Sequence, residues 1–257
     1  MIANYHTHTW RCNHASGTEE EYIQLAIERG VRVLGFADHA PMPFCDGHYS
    51  GFRMTLEQFP DYMETLLALR EKYRSQIELL IGLEVEYYPA VFADLLAFVR
   101  PYPVDYLILG QHFIGNEGQG DPYSGAATED AGVLKRYVDQ VITAIETDLI
   151  SYIAHPDLIH YVGDDAIYRR EMTRLCQAAK RLNVPLEINL LGLSEGRHYP
   201  VDKFWQIAAE RGNVAILGCD AHQVHRMAAP AEIEQGRAYA KKFGITLLQE
   251  CSLRKPY

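Results

Sequence analysis

The sequence predicts an α/β fold in which seven β/α units close into a barrel. Two observations predict it. Short apolar segments alternate with helical segments along all 257 residues, and almost every apolar segment ends in His, Glu or Asp. Strands that are apolar throughout are buried on both faces, as in a parallel sheet covered by helices. A barrel gathers its strand ends around one mouth, whereas the alternative, an open doubly wound sheet, spreads them along a line. The repeated polar endings therefore favour the barrel.

The elements follow in order. Ile2–Tyr5 reads as the first strand and runs into His6 and His8. Thr18 with Glu21 forms a capping-box pattern that starts a helix ending at Glu28 or Arg29, before Gly30. Val31–Ala37 is a strand followed at once by Asp38 and His39, and Pro41–Phe52 is a loop. Leu56–Tyr73 is a helix interrupted or restarted near Pro60. Ile77–Val85 is a strand carrying Glu84, Ala90–Val99 a short helix, and Val104–Leu109 a strand ended by Gly110 and His112. After the loop Gly115–Gly125, a long amphipathic helix spans Glu129–Thr147. Leu149–Ala154 is a strand ending in His155, Ala166–Leu182 a helix, and Pro185–Asn189 a strand with Glu187 and Asn189 on one face. A loop then carries Arg197, His198, Tyr199 and Pro200. The helix Asp202–Arg211, the strand Val214–Gly218 with Asp220 and His222 beyond it, the helix Pro230–Phe243 and a short β run, Ile245–Leu248, close the chain. No low-complexity stretch or linker divides these units, so a single domain over residues 1–257 is expected.

Composition narrows the function. Apolar residues make up 48% and the formal net charge is −10, with no basic stripe. Nucleic acid and anionic membrane surfaces are therefore excluded as expected partners. An anionic substrate is not, because bound cations dominate their local field. Cys12, Cys45, Cys176, Cys219 and Cys251 are odd in number and form no Cys-x-x-Cys, so a reducing cytoplasm is expected rather than a disulfide framework. The first residues show no basic segment followed by an apolar one, so no signal peptide is expected.

The chemistry lies at the strand ends. His6 and His8 are two apart in an extended segment and point to the same side. Asp220 and His222 repeat that spacing. The full candidate ligand set is His6, His8, His14, His39, Glu84, His112, His155, Asp220 and His222. Any one of these histidines is unremarkable alone, but seven of the eleven in the chain fall at or just after a strand end. Glu84 is preferred to Glu86 because it directly ends the apolar run; Glu86 could point to the same side and is the alternative, and otherwise it is a neighbour on the rim. A catalytic zinc takes about three protein ligands, so nine serve two or three ions sharing a bridging carboxylate. Imidazole-rich donors suit Zn, Mn or Fe and exclude an all-oxygen Ca or Mg cage.

His6-x-His8, Asp38-His39, Gly82-Leu-Glu84, His112, His155-Pro156 and Asp220-Ala-His222, in that order, resemble the PHP (polymerase and histidinol phosphatase) superfamily. The segments His112-Phe-Ile, His155-Pro-Asp-Leu, Glu187-Ile-Asn189 and Arg197…Tyr199-Pro200 are similar to its histidinol-phosphate phosphatases. The resemblance covers essentially the whole chain. It implies a distorted (β/α)7 TIM-like barrel with a trinuclear metal centre. His6, His8, Glu84 and Asp220 would hold one ion. Glu84, His112 and His155 would hold a second, and His14, His39 and His222 a third. It also implies hydrolysis of L-histidinol phosphate in histidine biosynthesis. Two departures stand out: Cys219 where a serine is expected, facing away from the Asp220 side, and no proline in the segment Gln223–Arg226.

Metal chemistry of this kind gives in-line attack on phosphorus by a metal-bridging hydroxide, with no covalent enzyme intermediate. The chain has no Cys-x5-Arg loop and no Walker-type loop, which argues against thiol catalysis and NTP use. Glu84, Asp220 and Asp38 are the carboxylates assigned to catalysis, Asp38 by orienting a ligand histidine. Arg197 is assigned to the phosphoryl group, because a guanidinium matches two oxygens at once. Asn189, Glu187, His160 and His225 are candidate pocket contacts, with the roles of His48 and His198 open. The loops Pro41–Phe52 and Gly115–Gly125 are expected to shape the pocket and recognise an amine or imidazole. The competing readings are a broader phosphoesterase for nucleotides or phosphotyrosine, a metal-dependent amidohydrolase, and a non-catalytic metal-binding module. The amidohydrolase ranks low, because no strand ends in the lysine such enzymes use to bridge their metals.

Overall fold

A computed structural model describes every residue except Asp46, Gln119 and Asp121, so three positions of the two expected pocket loops lie outside the described residues. The chain alternates β1 (Ala3–Asn4), α1 (Glu19–Glu28), β2 (Val33–His39), α2 (Phe59–Tyr73), β3 (Glu78–Val85), α3 (Phe92–Val99), β4 (Tyr106–Leu109), α4 (Ala131–Glu146), β5 (Ile150–Ile153), α5 (Asp165–Arg181), β6 (Leu186–Asn189), α6 (Leu190–Glu195), α7 (Asp202–Arg211), β7 (Val214–Gly218), α8 (Pro230–Phe243) and β8 (Thr246–Leu247).

Local chemistry explains the main boundaries. At the start of α1 the Thr18 hydroxyl accepts from Glu21 N at 3.3 Å, while the Glu21 carboxylate accepts from Thr18 N at 2.7 Å. Three glutamates fill the first turn, where the helix dipole favours negative charge. Pro60 lies in the first turn of α2, after a 3-10 turn at Leu56–Gln58, so the expected interruption is the helix start. β2 has the expected length but lies two residues later, and so runs through Asp38 and His39. α6 lies where the sequence suggests only loop. Its six residues are too short to display a period, and Asn189 caps it by accepting from Gly192 N at 2.8 Å.

All eight strands are parallel and pair in sequence order, β1 to β8. The sheet curls until its ends approach. β8 pairs only with the beginning of β7, through Val214 and Ala215. Beyond the end of β7, Ala221 bridges Thr7 instead, with His8 N to Ala221 O at 3.1 Å and Ala221 N to His6 O at 3.4 Å. The result is the distorted (β/α)7 barrel expected, with a short eighth strand at its seam.

The core has two parts. The larger lies between sheet and helices, and a smaller one fills the barrel. The alternation is strict along β4: Tyr106 and Ile108 point inward, and Leu107 and Leu109 outward. Tyr106 is fully buried at the barrel centre, and its hydroxyl donates to Tyr5 O at 2.7 Å. Tyr106→Phe should therefore destabilise by about 1 kcal/mol, the net worth of one buried hydrogen bond. Tyr106→Ala should cost about 3–5 kcal/mol through the cavity it leaves. Urea denaturation with unchanged m-value checks both figures.

Candidate metal centre

The curl of the sheet brings the nine candidate ligands together. His6 and His8 follow β1, His39 ends β2, Glu84 lies near the end of β3, and His112 and His155 follow β4 and β5. Asp220 and His222 follow β7, and His14 follows a 3-10 turn at Trp10–Cys12. His39 and Glu84 are direct partners in the β2–β3 ladder, so their side chains are neighbours by register. Glu84 is central. Its Oε2 lies 3.6 Å from Nε2 of both His6 and His8 and 2.9 Å from His39 Nδ1. Its Oε1 lies 2.9 Å from His155 Nε2 and 3.8 Å from His112 Nε2. Asp220 Oδ1 lies 3.1 Å from His8 Nε2 and 3.5 Å from His6 Nε2. One donor atom each from His6, His8 and Glu84 lies within 4.8 Å of the other two; so do those of His14, His39 and His222, and of His39, Glu84 and His112.

Space for the carboxylates comes from glycine. A Cβ at Gly110 would lie 1.8 Å from Glu84 Oε1, and one at Gly218 would lie 1.6 Å from Glu187 Oε1. Two of the ligands sit on strained backbone, His155 at φ 28° and Asp220 at φ 48°. Glu187 steadies the first by accepting from His155 N at 3.0 Å.

Further groups aim the imidazoles. Glu187 accepts from His6 Nδ1 at 2.8 Å, Asp38 from His8 Nδ1 at 3.2 Å and Glu86 from His112 Nδ1 at 2.8 Å. Backbone carbonyls serve His14 (Cys12 O, 2.7 Å) and His222 (Asp220 O, 3.0 Å). With the proton assigned to Nδ1, each of these five rings turns a lone pair on Nε2 outward as a donor.

The electrostatics fit divalent cations. Burial pushes the Glu84 carboxyl up, but His39, His112, His6 and His155 hold it well below the usual range. Burial likewise opposes ionisation of Asp220, and His6, His8 and His222 hold it well down. Burial draws His6 down, and Glu187, Asp220 and Glu84 outweigh it and raise the imidazole well above its ordinary value. His222 is held at about 3 by burial and by His8. Burial also leaves His39 well below its ordinary value. Among the described residues, six buried atoms of the candidate ligands have no hydrogen-bond partner: Nε2 of His6, His8 and His222, Nδ1 of His39 and His155, and Oε2 of Glu84. An unpaired buried polar atom costs about 1–3 kcal/mol, and native interiors keep few. Those of His6, His8 and His39 lie against the Glu84 carboxylate, part of a nitrogen-rich donor set that cations would satisfy together.

A cavity of about 280 Å³ opens over this cluster. Phe52, Phe113, Tyr123 and Tyr199 form aromatic walls, and Arg197 lies on the lining. The Arg197 guanidinium pairs with Glu195 at 2.8 Å and donates to the Tyr199 hydroxyl at 2.9 Å.

Asp38 is fully buried behind His8 and Thr9 and does not border the cavity; it contacts a ligand histidine, the role expected of it. Several other expected roles change. Asn189 is spent inside the protein, donating to Glu187 at 3.0 Å and Asp220 at 3.1 Å, and Glu187 is buried beside it. Neither is a pocket contact. His160 stacks on His198 at 4.3 Å outside the lining. His225 sits in a turn, its carbonyl accepting from Arg29 just after α1, on a separate depression. Glu86 is not on the rim: it is fully buried and gripped by Arg53. The spacing Glu84-x-Glu86 puts both carboxylates on one side, as the alternative reading of Glu86 has it, but Glu86 holds His112 from behind; nothing in the sequence points to Arg53. Cys219 faces away, its sulfur accepting from Ala228 N at 3.4 Å.

Comparison with known proteins agrees with this geometry. A family model, the PHP domain, matches residues 4–190. A probable histidinol-phosphatase of Deinococcus radiodurans is 30% identical over 230 residues, covering 86% of each chain. A histidinol-phosphatase of Bacillus subtilis is 25% identical over 85% of this chain and 92% of its own. The crystal structure of histidinol phosphate phosphatase from Lactococcus lactis, complexed with zinc, L-histidinol and phosphate, superposes with a TM-score of 0.74 over 98% of both chains at 18% identity. The family match over most of the chain and the ordered ligands at successive strand ends have one explanation: the chain belongs to the PHP family.

Proposed function

We infer that this protein hydrolyses L-histidinol phosphate to L-histidinol and inorganic phosphate, as a phosphoric monoester hydrolase of histidine biosynthesis acting in a reducing cytoplasm. The observation that carries the reading is one cavity that joins a nitrogen-rich donor cluster, a guanidinium and aromatic walls. Histidinol phosphate offers the complementary parts, a phosphoryl group and a flat ring. The activity named for the Deinococcus and Bacillus relatives supports the same substrate.

Two to three ions of Zn, Mn or Fe would be held as the family resemblance implies. His6, His8, Glu84 and Asp220 would hold one, Glu84, His112 and His155 a second, and His14, His39 and His222 a third. When bound, such ions neutralise phosphoryl oxygens and supply nucleophilic hydroxide near neutral pH. Arg197, on the cavity lining and steadied by Tyr199, would grip the phosphoryl group. Phe52, Phe113 and Tyr123 take the imidazole ring and keep water from it. Glu187, Asp38 and Glu86 keep the ligand imidazoles in one tautomer.

The test is steady-state kinetics on histidinol phosphate against nucleotides, phosphotyrosine and a generic aryl phosphate, with elemental analysis of the same sample. The highest kcat/KM should belong to histidinol phosphate, and two to three ions should be found per chain. Chelation should abolish turnover and lower Tm, since each ion at a hundred times its Kd adds about 2.7 kcal/mol to folding. Preference for another ester, or at most one ion, would overturn the reading.

At saturating metal, Glu84→Gln should cost more activity than Glu86→Gln. The first loses a charge shared by two ions; the second loosens one histidine, an effect of roughly ten- to a hundredfold. The opposite ranking would mean that the bridging carboxylate is Glu86.

Arg197→Ala should lower kcat/KM by roughly tenfold or more, equivalent to ~1.4 kcal/mol, with Arg197→Lys in between. The loss should be similar for histidinol phosphate and an aryl phosphate, and metal content should not change. An effect confined to histidinol phosphate would move Arg197 to the leaving-group side.

A further inference from the structure

Arg53 lies 33 residues from Glu86 and 64 from Glu117 in sequence, yet is only 2% exposed between them. Its five N–H groups are all used. Nη1 donates to Glu86 Oε2 at 2.9 Å and Ala40 O at 3.1 Å, and Nη2 donates to Glu86 Oε1 at 3.1 Å and to Glu117. Nε donates to Ser50 Oγ at 3.0 Å. The same Glu86 Oε1 accepts from His112 Nδ1 at 2.8 Å. The flat face of the guanidinium lies 4.3 Å from the ring of Phe52. Phe52 in turn meets His112 edge-on at 5.7 Å and stacks on Phe113 at 5.9 Å.

One side chain thus reaches both halves of the cavity. Its edge acts on the metal side, through Glu86 to His112. Its face acts on the leaving-group side, through Phe52 to Phe113. Buried ion pairs contribute little to stability, and apolar residues of similar volume often replace them without loss. A buried arginine with every donor paired to the ends of two strands and a loop asks for another reason. Lysine could keep the charge but supplies neither the two-point fork nor the stacking plane.

We infer that Arg53 is a positioning residue: it fixes Glu86, and through it the ligating orientation of His112, and it holds Phe52 as a wall for the ring of the substrate. This rests on the reading of the cavity as a metal-dependent phosphatase site. Metal affinity and aromatic-ester recognition should therefore be coupled through one guanidinium that touches neither ion nor substrate.

The test uses the full-length chain, wild type and Arg53→Lys. Zinc is titrated into metal-free protein against a chromophoric chelator, and KM and kcat are then measured at saturating zinc on histidinol phosphate and on methyl phosphate, which has no ring. Arg53→Lys should weaken one zinc per chain by roughly ten- to a hundredfold while leaving the others unchanged. At saturating zinc it should raise KM for histidinol phosphate and not for methyl phosphate. A plain structural staple would lower stability without singling out one ion or one ester, and that result overturns the inference. If Arg53→Lys does not fold, Glu86→Gln, which removes a charge at constant volume, carries the metal arm and must weaken one ion alone; Phe52→Leu carries the ester arm and must raise KM for the ring-bearing ester alone. Failure of either replacement overturns the inference. Wild-type protein that binds no zinc would overturn the phosphatase reading itself; wild type that binds zinc, with Arg53→Lys matching it, overturns this inference only.

Discussion

The structure depends on keeping two ionised carboxylates, Glu84 and Asp220, at the mouth of the barrel with 1% and 4% exposure. Moving a carboxylate out of water costs several kcal/mol unless other charge and hydrogen bonds replace the solvent. Much of the surrounding architecture answers that requirement. Parallel strands that all end at one rim bring imidazoles to the carboxylates from five directions. Gly110 and Gly218 clear the volume the carboxylates and their neighbours occupy. Among the described residues, several buried atoms of the ligand set keep no hydrogen-bond partner, so the protein alone leaves the requirement unfinished.

Around that centre lies a second ring of acids. Asp38, Glu86 and Glu187 are each fully buried, and each holds one histidine by Nδ1. They add negative charge to an already anionic mouth, which raises the basicity of the ligands and the attraction for cations. Arg53 balances Glu86 and Glu117. Asn189 bridges Glu187 and Asp220 and also caps α6, so one amide connects the ligand set to the helix that leads into the Arg197 loop.

The rim was legible in the sequence because its signal is local: an apolar strand followed by His or Glu states both where the residue lies and which way it faces. His6, His8, Glu84, His155 and Asp220 could be placed in this way. The residues behind the rim could not. Asn189 and Glu187 share a face of β6 with the pocket side, but whether that face meets solvent or a neighbouring strand depends on the curl of the sheet. Arg53 meets Glu86 only because the chain between β2 and α2 folds back across the rim. α6 lacked a readable period because it is barely more than one turn long. His225 and His160 resembled site residues by type, and their positions depended on turn geometry that spacing does not encode.

The seam of the barrel has a consequence of its own. The two ends of the sheet meet through the single bridge Thr7–Ala221, whereas β2 and β3 share a seven-residue register. That bridge stands between His6 and His8 on one side and Asp220 and His222 on the other. Ions gripped from both sides would act as rivets across a joint that backbone pairing leaves thin. Without them the two sides would part more easily, so amide exchange at His8 and Ala221 would respond to metal occupancy.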